Sequence, residues 1–272
     1  MAAKHRLAVL GVGNMGEALV RGIVRAGALA PEQITAFDID VSRVAALSEE
    51  LGVIPAGSNT EAAATSEYVL LAVKPATIDS LAKEIAAALT PDHTLVSIAA
   101  GVPLRRIQSA LGESRPALVR VMPNTPALVG EGMFAVTAPG VSAERVEMLN
   151  SLLSSIGRVV EVGEEMMDAV TGLSGSGPAF VYLMIEALAD GGVASGLPRS
   201  VAHQLAVQTV AGSAKMVQET GQHPGVLKDA VASPGGTTIA GLAELERAGF
   251  RGAVLSAVRA AAARSRELSG GD

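Results

Sequence analysis

The 272 residues carry 21 Lys and Arg against 27 Asp and Glu, a formal net charge of −6, with no basic run of the kind that tracks phosphates, so nucleic acid is set aside as a partner. Hydrophobic residues make up 49% of the chain but aromatics only 2%, with no Trp, so a sizeable core has to be filled by Ala, Val and Leu, which suits closely packed helices. Cysteine is absent, which excludes disulfides, thiol nucleophiles and cysteine-held metal, and fits a reducing compartment.

Taken in order, Met1 to Arg6 leads into an apolar stretch of only four residues, Leu7 to Leu10, too short for a signal peptide and suited to a strand. A helix over Asn14–Ala26, a strand over Gln33–Phe37, a helix over Ser42–Leu51 and a strand over Tyr68–Val73 follow. Then come a helix over Thr77–Leu89 and strands over Thr94–Ile98 and Ala117–Val121. Short runs that are apolar on both faces and separated by helices predict a parallel sheet covered on both sides, wound by right-handed crossovers. Met133–Thr137 and Val159–Val162 extend its edge around a helix at Ala143–Ser155.

After about Glu164 the strand pattern ends. Met166–Gly172, Pro178–Gly192, Arg199–Glu219, Gly225–Val231, Thr238–Ala248 and Arg251–Leu268 read as helices. Pro178, Pro198 and Pro224 suit their starts, and Gly196 and Gly221 their stops. The expected organisation is therefore α/β: a Rossmann-type doubly wound sheet over residues 1–163 and an all-helical domain over 164–272, with the tail Leu268–Asp272 frayed. Wide Ala-rich apolar faces in the helical part exceed what one small domain buries, so part of that surface is expected to meet another subunit. The longest uncharged stretch, Ala169–Ile185, is interrupted by Gly172, Gly175, Gly177 and Pro178, which argues against a bilayer span. A cytoplasmic enzyme without membrane contact is the expectation.

Two segments carry the chemistry. Gly11-Val-Gly13-Asn-Met-Gly16 follows a strand and opens a helix, the arrangement that brings backbone N–H groups to a dinucleotide pyrophosphate. Asp38 stands about 20 residues further on. It either accepts a hydrogen bond from the adenosine ribose or caps the next helix, and Arg43 beside it suits a 2′-phosphate, so NADH and NADPH both stay open. Ala72-Val73-Lys74-Pro75, the segment around Ala99, Ala100 and Gly101, and Met122-Pro-Asn-Thr-Pro126 end later strands, on the side where such sheets bind ligands. At the other end of the chain, Ser233-Pro-Gly-Gly236-Thr237-Thr238 opens a helix. Small residues, a helix N-terminus and two hydroxyls suit a small anion. Leu173-Ser-Gly-Ser-Gly-Pro178 suits a second anion nest or a close-packed hinge between the domains; the hinge is preferred, with Ser176 within reach of a substrate. The four histidines, His5, His93, His203 and His223, have no metal-ligand spacing, and no metal is expected.

Together these segments resemble the pyrroline-5-carboxylate reductase family, over essentially the whole chain. The most specific piece is Asp229-Ala-Val-Ala-Ser-Pro-Gly-Gly-Thr-Thr-Ile-Ala-Gly-Leu-Ala-Glu-Leu-Glu246, supported by the glycine loop, Ala72–Pro75, Met122–Pro126 and Asp168–Pro178. The resemblance implies reduction of 1-pyrroline-5-carboxylate to proline by NADPH or NADH. It also implies a homodimer interlocked through the helices, with dimers assembling further as a pentamer of dimers. It assigns the dinucleotide to Gly11, Gly13, Asn14, Met15, Gly16, Asn59, Ala72, Val73, Lys74, Pro75, Ala99, Ala100 and Gly101; Asp38 is a cofactor candidate by its position after the second strand alone, since that region varies in the family. The substrate falls to Glu164, Ser233, Gly236, Thr237 and Thr238, with Thr238 the catalytic contact. Gly221 departs from members that carry an acid there. The β-hydroxyacid dehydrogenases share the two-domain plan but use a lysine on the helix after a comparable glycine segment. Here that helix reads Pro178-Ala-Phe-Val-Tyr-Leu-Met-Ile-Glu186. A non-catalytic nucleotide sensor is the other rival, disfavoured by the intact anion loop.

Overall fold

The computed structural model describes residues 7–270. The stretch Met1 to Arg6 and the last two residues of the tail lie outside them.

The alternating pattern folds as expected through β1 (Leu7–Leu10), α1 (Asn14–Arg25), β2 (Ile34–Phe37) and α2 (Val41–Leu51). The chain continues through β3 (Ile54–Pro55), α3 (Asn59–Ala64), β4 (Tyr68–Leu71), α4 (Ile78–Ile85) and β5 (Thr94–Ser97). After α5 (Leu104–Leu111) come β6 (Ala117–Met122), β7 (Gly132–Thr137), α6 (Ala143–Ser154) and β8 (Gly157–Glu161). One eight-stranded sheet results, in the order β3-β2-β1-β4-β5-β6-β7-β8. All neighbours are parallel except β6 and β7, which run antiparallel. The order reverses between β1 and β4, which is where such sheets open a crevice at the strands' carboxyl ends.

Alternation along the strands explains why both faces are covered. Leu7 and Val9 of β1 join a cluster with Leu19 and Ile23 of α1, Leu47 of α2 and Leu152 of α6. Ala8 and Leu10 point the other way, towards Ala62 of α3, Ile78 and Ile85 of α4 and Ile107 of α5. Tyr68 and Val69 of β4 divide in the same way. Each large aliphatic side chain buried here contributes about 1.5–3 kcal/mol by leaving water.

Beyond β8 the chain is helical. A short turn at Glu164–Met166 leads into α7 (Met167–Val170), a π-helical turn at Thr171–Gly175 and α8 (Gly177–Ala194). α9 (Arg199–Thr220), α10 (Pro224–Ala230), α11 (Thr237–Arg247) and α12 (Phe250–Leu268) complete it. The expected hinge is thus helical, with a widened turn at Gly172 and Gly175. The compact units divide elsewhere than at residue 163. One runs up to Ser176 and takes in the residues from Ala260 onward, and the other is Gly177–Arg259. In the first unit, the Ser265 hydroxyl of α12 donates to Asp168 Oδ1 of α7 at 2.5 Å. Leu268 Cβ lies 3.3 Å from where a Cβ on Gly101 would stand. The tail expected to fray is held through Gly270, with the Ser269 hydroxyl bonded to the Ser265 carbonyl at 2.9 Å.

The second unit has a thin core. Ala189, Ala202 and Ala206 are its buried cluster, flanked by Ile185 and Val193. Tyr182, Leu183, Leu188, Leu205 and Leu255 are exposed. No helix among the described residues is long and apolar enough to cross a membrane.

Candidate active site

The glycine loop sits at the carboxyl end of β1, and its neighbours dictate its composition. Gly11 has φ +99°, and a Cβ there would stand 2.8 Å from the Ala72 carbonyl oxygen and 2.9 Å from Val73 Cγ1. Gly16, buried in the first turn of α1, has its α-carbon packed onto the Gly11 carbonyl, leaving no room for a side chain. A Cβ on Gly13 would meet nothing nearer than Arg43 Nη1 at 4.0 Å, so the space above that residue is open. This combination, backbone packed below and clear space above, fits a pyrophosphate laid on the loop. Gly13 also caps α1 without a side-chain bond, and Asn14 and Met15 form the first turn beside it.

The other nucleotide candidates line the same edge. Gly11 N–H donates to the Phe37 carbonyl at 2.8 Å, Ala72 N–H to Leu10 at 2.8 Å and Ile98 N–H to Leu71 at 3.2 Å, tying the ends of β2, β1, β4 and β5 into one rim. Asp38, Ala72–Pro75 and Ala99–Gly101 all follow directly from those strands. Lys74 is exposed, while Ala99 and Gly101 are buried. Asn59 opens α3, and its Nδ2 donates to both carboxylate oxygens of Glu84 at 3.1 Å.

Asp38 does not cap α2; its carboxylate is held by two backbone amides. Its Oδ2 accepts from Val12 N–H in the glycine loop at 2.8 Å and its Oδ1 from Asp40 N–H at 2.9 Å. The cap of α2 is Asp40, which accepts from Ser42 N–H at 3.2 Å.

Glu164 lies in the same unit. Its Oε1 accepts from Leu104 N–H at the start of α5 at 2.7 Å and stands 3.4 Å from Arg120 Nη1. Arg120 is buried in β6, so this carboxylate balances a charge inside the fold. Sequence spacing gave no sign of either partnership. Asn124 is likewise engaged at both ends: its Nδ2 donates to the Ser174 carbonyl at 3.1 Å and its Oδ1 accepts from Met133 N–H at 2.8 Å.

In the second unit, Ser233 to Gly236 forms a tight turn closed by Gly236 N–H on the Ser233 carbonyl at 3.1 Å. The Ser233 hydroxyl lies against the Gly236 α-carbon, where a side chain would collide with it. Gly236 caps α11 with no side-chain bond, and the helix ladder begins with Ala240 N–H on the Gly236 carbonyl at 3.3 Å. The amides of Thr237, Thr238 and Ile239 precede that first bond, so no carbonyl of the helix takes them.

A family model described as pyrroline-5-carboxylate reductase dimerisation matches residues 164–268, and one described as NADP oxidoreductase, coenzyme F420-dependent, matches residues 6–101. The pyrroline-5-carboxylate reductase of Glycine max is 48% identical over 270 residues, covering 98% of this chain and 97% of that protein. The chain belongs to the pyrroline-5-carboxylate reductase family. The Escherichia coli K12 reductase is 43% identical over 98% of this chain and 99% of its own length. Among solved structures, a Coxiella burnetii pyrroline-5-carboxylate reductase superposes with a TM-score of 0.91 at 33% identity, covering 98% of this chain and 99% of that one. A Plasmodium falciparum pyrroline carboxylate reductase solved with NADP bound gives 0.88 at 35% identity, covering 97% and 98%. A prephenate dehydrogenase from Aquifex aeolicus, at 16% identity and a TM-score of 0.54, shares the fold alone. Pyrroline-5-carboxylate reductases are NAD(P)H-dependent oxidoreductases that carry out the final step of proline biosynthesis. The Rossmann-type sheet followed by a helical dimerisation region is their architecture, and this chain is such an enzyme, acting on a small molecule as an oligomer.

Proposed function

We propose that the chain reduces 1-pyrroline-5-carboxylate to L-proline, with the loop from Gly11 to Gly16 seating the dinucleotide and the start of α11 seating the imine. The observation that carries the second half is the uncapped N-terminus of α11, whose early amides and two threonine hydroxyls are offered to a small carboxylate. The bound nicotinamide supplies a hydride for C5 of the cyclic imine. Thr237 and Thr238 N–H groups hold the carboxylate, and the Ser233 hydroxyl, folded over Gly236, fixes the turn that aims them. The Thr238 hydroxyl hydrogen-bonds the ring nitrogen. A protonated imine loses its charge as hydride arrives, so the reaction calls for no strong acid, and the chain's work is positioning.

On the nucleotide side, Asn14, Met15, Lys74, Pro75 and Asn59 border the rim, and the small, half-buried Ala100, between buried Ala99 and Gly101, is the part of that segment offered to the nicotinamide. Glu164 acts as a positioning residue, holding the start of α5 just after that segment through Leu104 and steadying Arg120. The exposed Tyr182, Leu183 and Leu205 support a homodimer formed through the helices, and the family resemblance extends this to a pentamer of dimers. The cysteine-free composition fits a cytoplasmic enzyme.

The test is consumption of NAD(P)H with the cyclic imine by purified protein, wild type against Thr238→Ala. Losing a hydrogen bond of about 1 kcal/mol should lower kcat about fivefold while leaving nucleotide affinity unchanged. Wild-type protein inert towards the imine, or a Thr238→Ala enzyme with full kcat, overturns the assignment.

A further inference from the structure

The turn between β2 and α2 is where a dinucleotide site distinguishes a ribose diol from a 2′-phosphate. Its charged groups in this chain are already arranged around one another. Asp38 is locked from two sides, by Val12 N–H at 2.8 Å and by Asp40 N–H at 2.9 Å. One bond to each oxygen leaves each a further lone pair for an outside donor. Asp40 Oδ1 takes both Ser42 donors, the amide at 3.2 Å and the hydroxyl at 2.5 Å. Its Oδ2 stands 3.4 Å from Arg43 Nε. A carboxylate therefore occupies the start of α2 and the Nε edge of Arg43, whose Nη1 lies on the side of Gly13. The remaining turn residues, Ile39 and Val41, are exposed and apolar and bring no side-chain donor. Two carboxylates against one guanidinium leave the turn with net negative charge, and the Ser42 hydroxyl keeps Asp40 below the usual carboxylate range, ionised at neutral pH.

We propose that this turn makes the enzyme select NADH over NADPH: Asp38 accepts the ribose hydroxyls, and Asp40 bars a 2′-phosphate from Arg43 and from the α2 N-terminus. The inference rests on the dinucleotide site proposed above. The NADP seen in the Plasmodium structure belongs to that protein. The selection described here is a property of this chain's own Asp38, Asp40 and Arg43.

The experiment is direct binding, with NADH and NADPH titrated separately into the full-length protein and followed by calorimetry. Wild type should bind NADH at least about tenfold more tightly, about 1.4 kcal/mol. Asp40→Ser frees Arg43 and should tighten NADPH about tenfold while NADH stays within about twofold. Arg43→Gln should change wild-type NADPH affinity by less than about threefold, because Asp40 beside the Arg43 Nε edge offsets its charge at the turn. Wild type binding NADPH as tightly as NADH overturns the proposal, as does a large loss of NADPH affinity in Arg43→Gln or no gain in Asp40→Ser. Binding of neither nucleotide overturns the dinucleotide site itself. Melting curves of both variants confirm that they fold.

Discussion

Replacing Gly11 and Gly13 one at a time separates the two jobs of the glycine loop. In Gly11→Ala the new methyl would meet the Ala72 carbonyl oxygen at 2.8 Å and Val73 Cγ1 at 2.9 Å, with backbone on the carbonyl side. Relief requires a shift of roughly half an ångström towards ordinary contact distance, an overpacking cost of about 1–3 kcal/mol. The φ of +99° adds strain of about 1–2 kcal/mol for any L-residue. The sum, about 2–5 kcal/mol, corresponds to a fall in melting temperature of roughly 5–15 °C in a chain this long. It acts on a residue bonded to the end of β2, so the loop moves as well, and nucleotide affinity should drop about tenfold or more. Gly13→Ala meets no such neighbour, and its methyl points into the space assigned to the pyrophosphate. It should melt within about 2 °C of wild type yet lose nucleotide affinity. Thermal melting and calorimetric titration of both variants decide the matter. A Gly11→Ala protein of native stability, or a Gly13→Ala protein with native affinity, refutes the reasoning.

Three further outcomes are expected. Ser265→Ala deprives the Asp168 carboxylate of a 2.5 Å charge-assisted bond and should destabilise by about 1.5–3 kcal/mol by denaturant titration; it should also raise KM for the nucleotide, since the same turn of α12 lies against Gly101. Glu164→Gln keeps an oxygen for Leu104 N–H, so substrate KM should change less than about twofold, whereas Glu164→Ala strands buried Arg120 and should cost on the order of 1–3 kcal/mol of stability; a large KM rise in Glu164→Gln would put this carboxylate on the substrate. Burial pushes the Tyr68 hydroxyl up to about 12, so its neutral form stabilises the fold below pH 10 and that contribution is lost as pH rises from about 10 to 12. Tyr68→Phe should flatten the alkaline arm of a stability–pH curve by on the order of 2 kcal/mol.

The nucleotide half was legible because its signals are local. Leu7–Leu10 and Tyr68–Leu71 are buried along their whole length and read as apolar runs, and the glycine spacing follows at once. β3 was missed because Ile54 and Pro55 are only two residues, both exposed. α5 did carry a pattern, Leu104, Ile107 and Leu111 on one face, but it is short and follows a proline. The reversal of β7 has no local signature, since its direction depends on which strand it joins. Glu164 with Arg120, and Asp168 with Ser265, are pairs distant in sequence that no spacing rule connects. The strand pattern stops near residue 164, where the dimerisation model also begins, yet packing keeps the chain with the sheet as far as Ser176. The turn from Ser233 and the helix it opens were legible through their glycines, while the direction of the Ser233 hydroxyl depends on the folded turn.

The chain leaves the sheet-bearing unit after Ser176 and rejoins it at Ala260, so the helical unit is an insertion within the other's chain. A ribosome releases the N-terminal strands first, at about 5–20 residues per second. The clasp formed by Asp168 with Ser265 therefore waits for the final stretch of translation. On the dinucleotide site proposed above, capture at full strength then waits until the helices of the dimerisation region have already been made. Trimming the last turn of α12 should consequently weaken the dinucleotide-binding half, although it lies at the opposite terminus from the glycine loop.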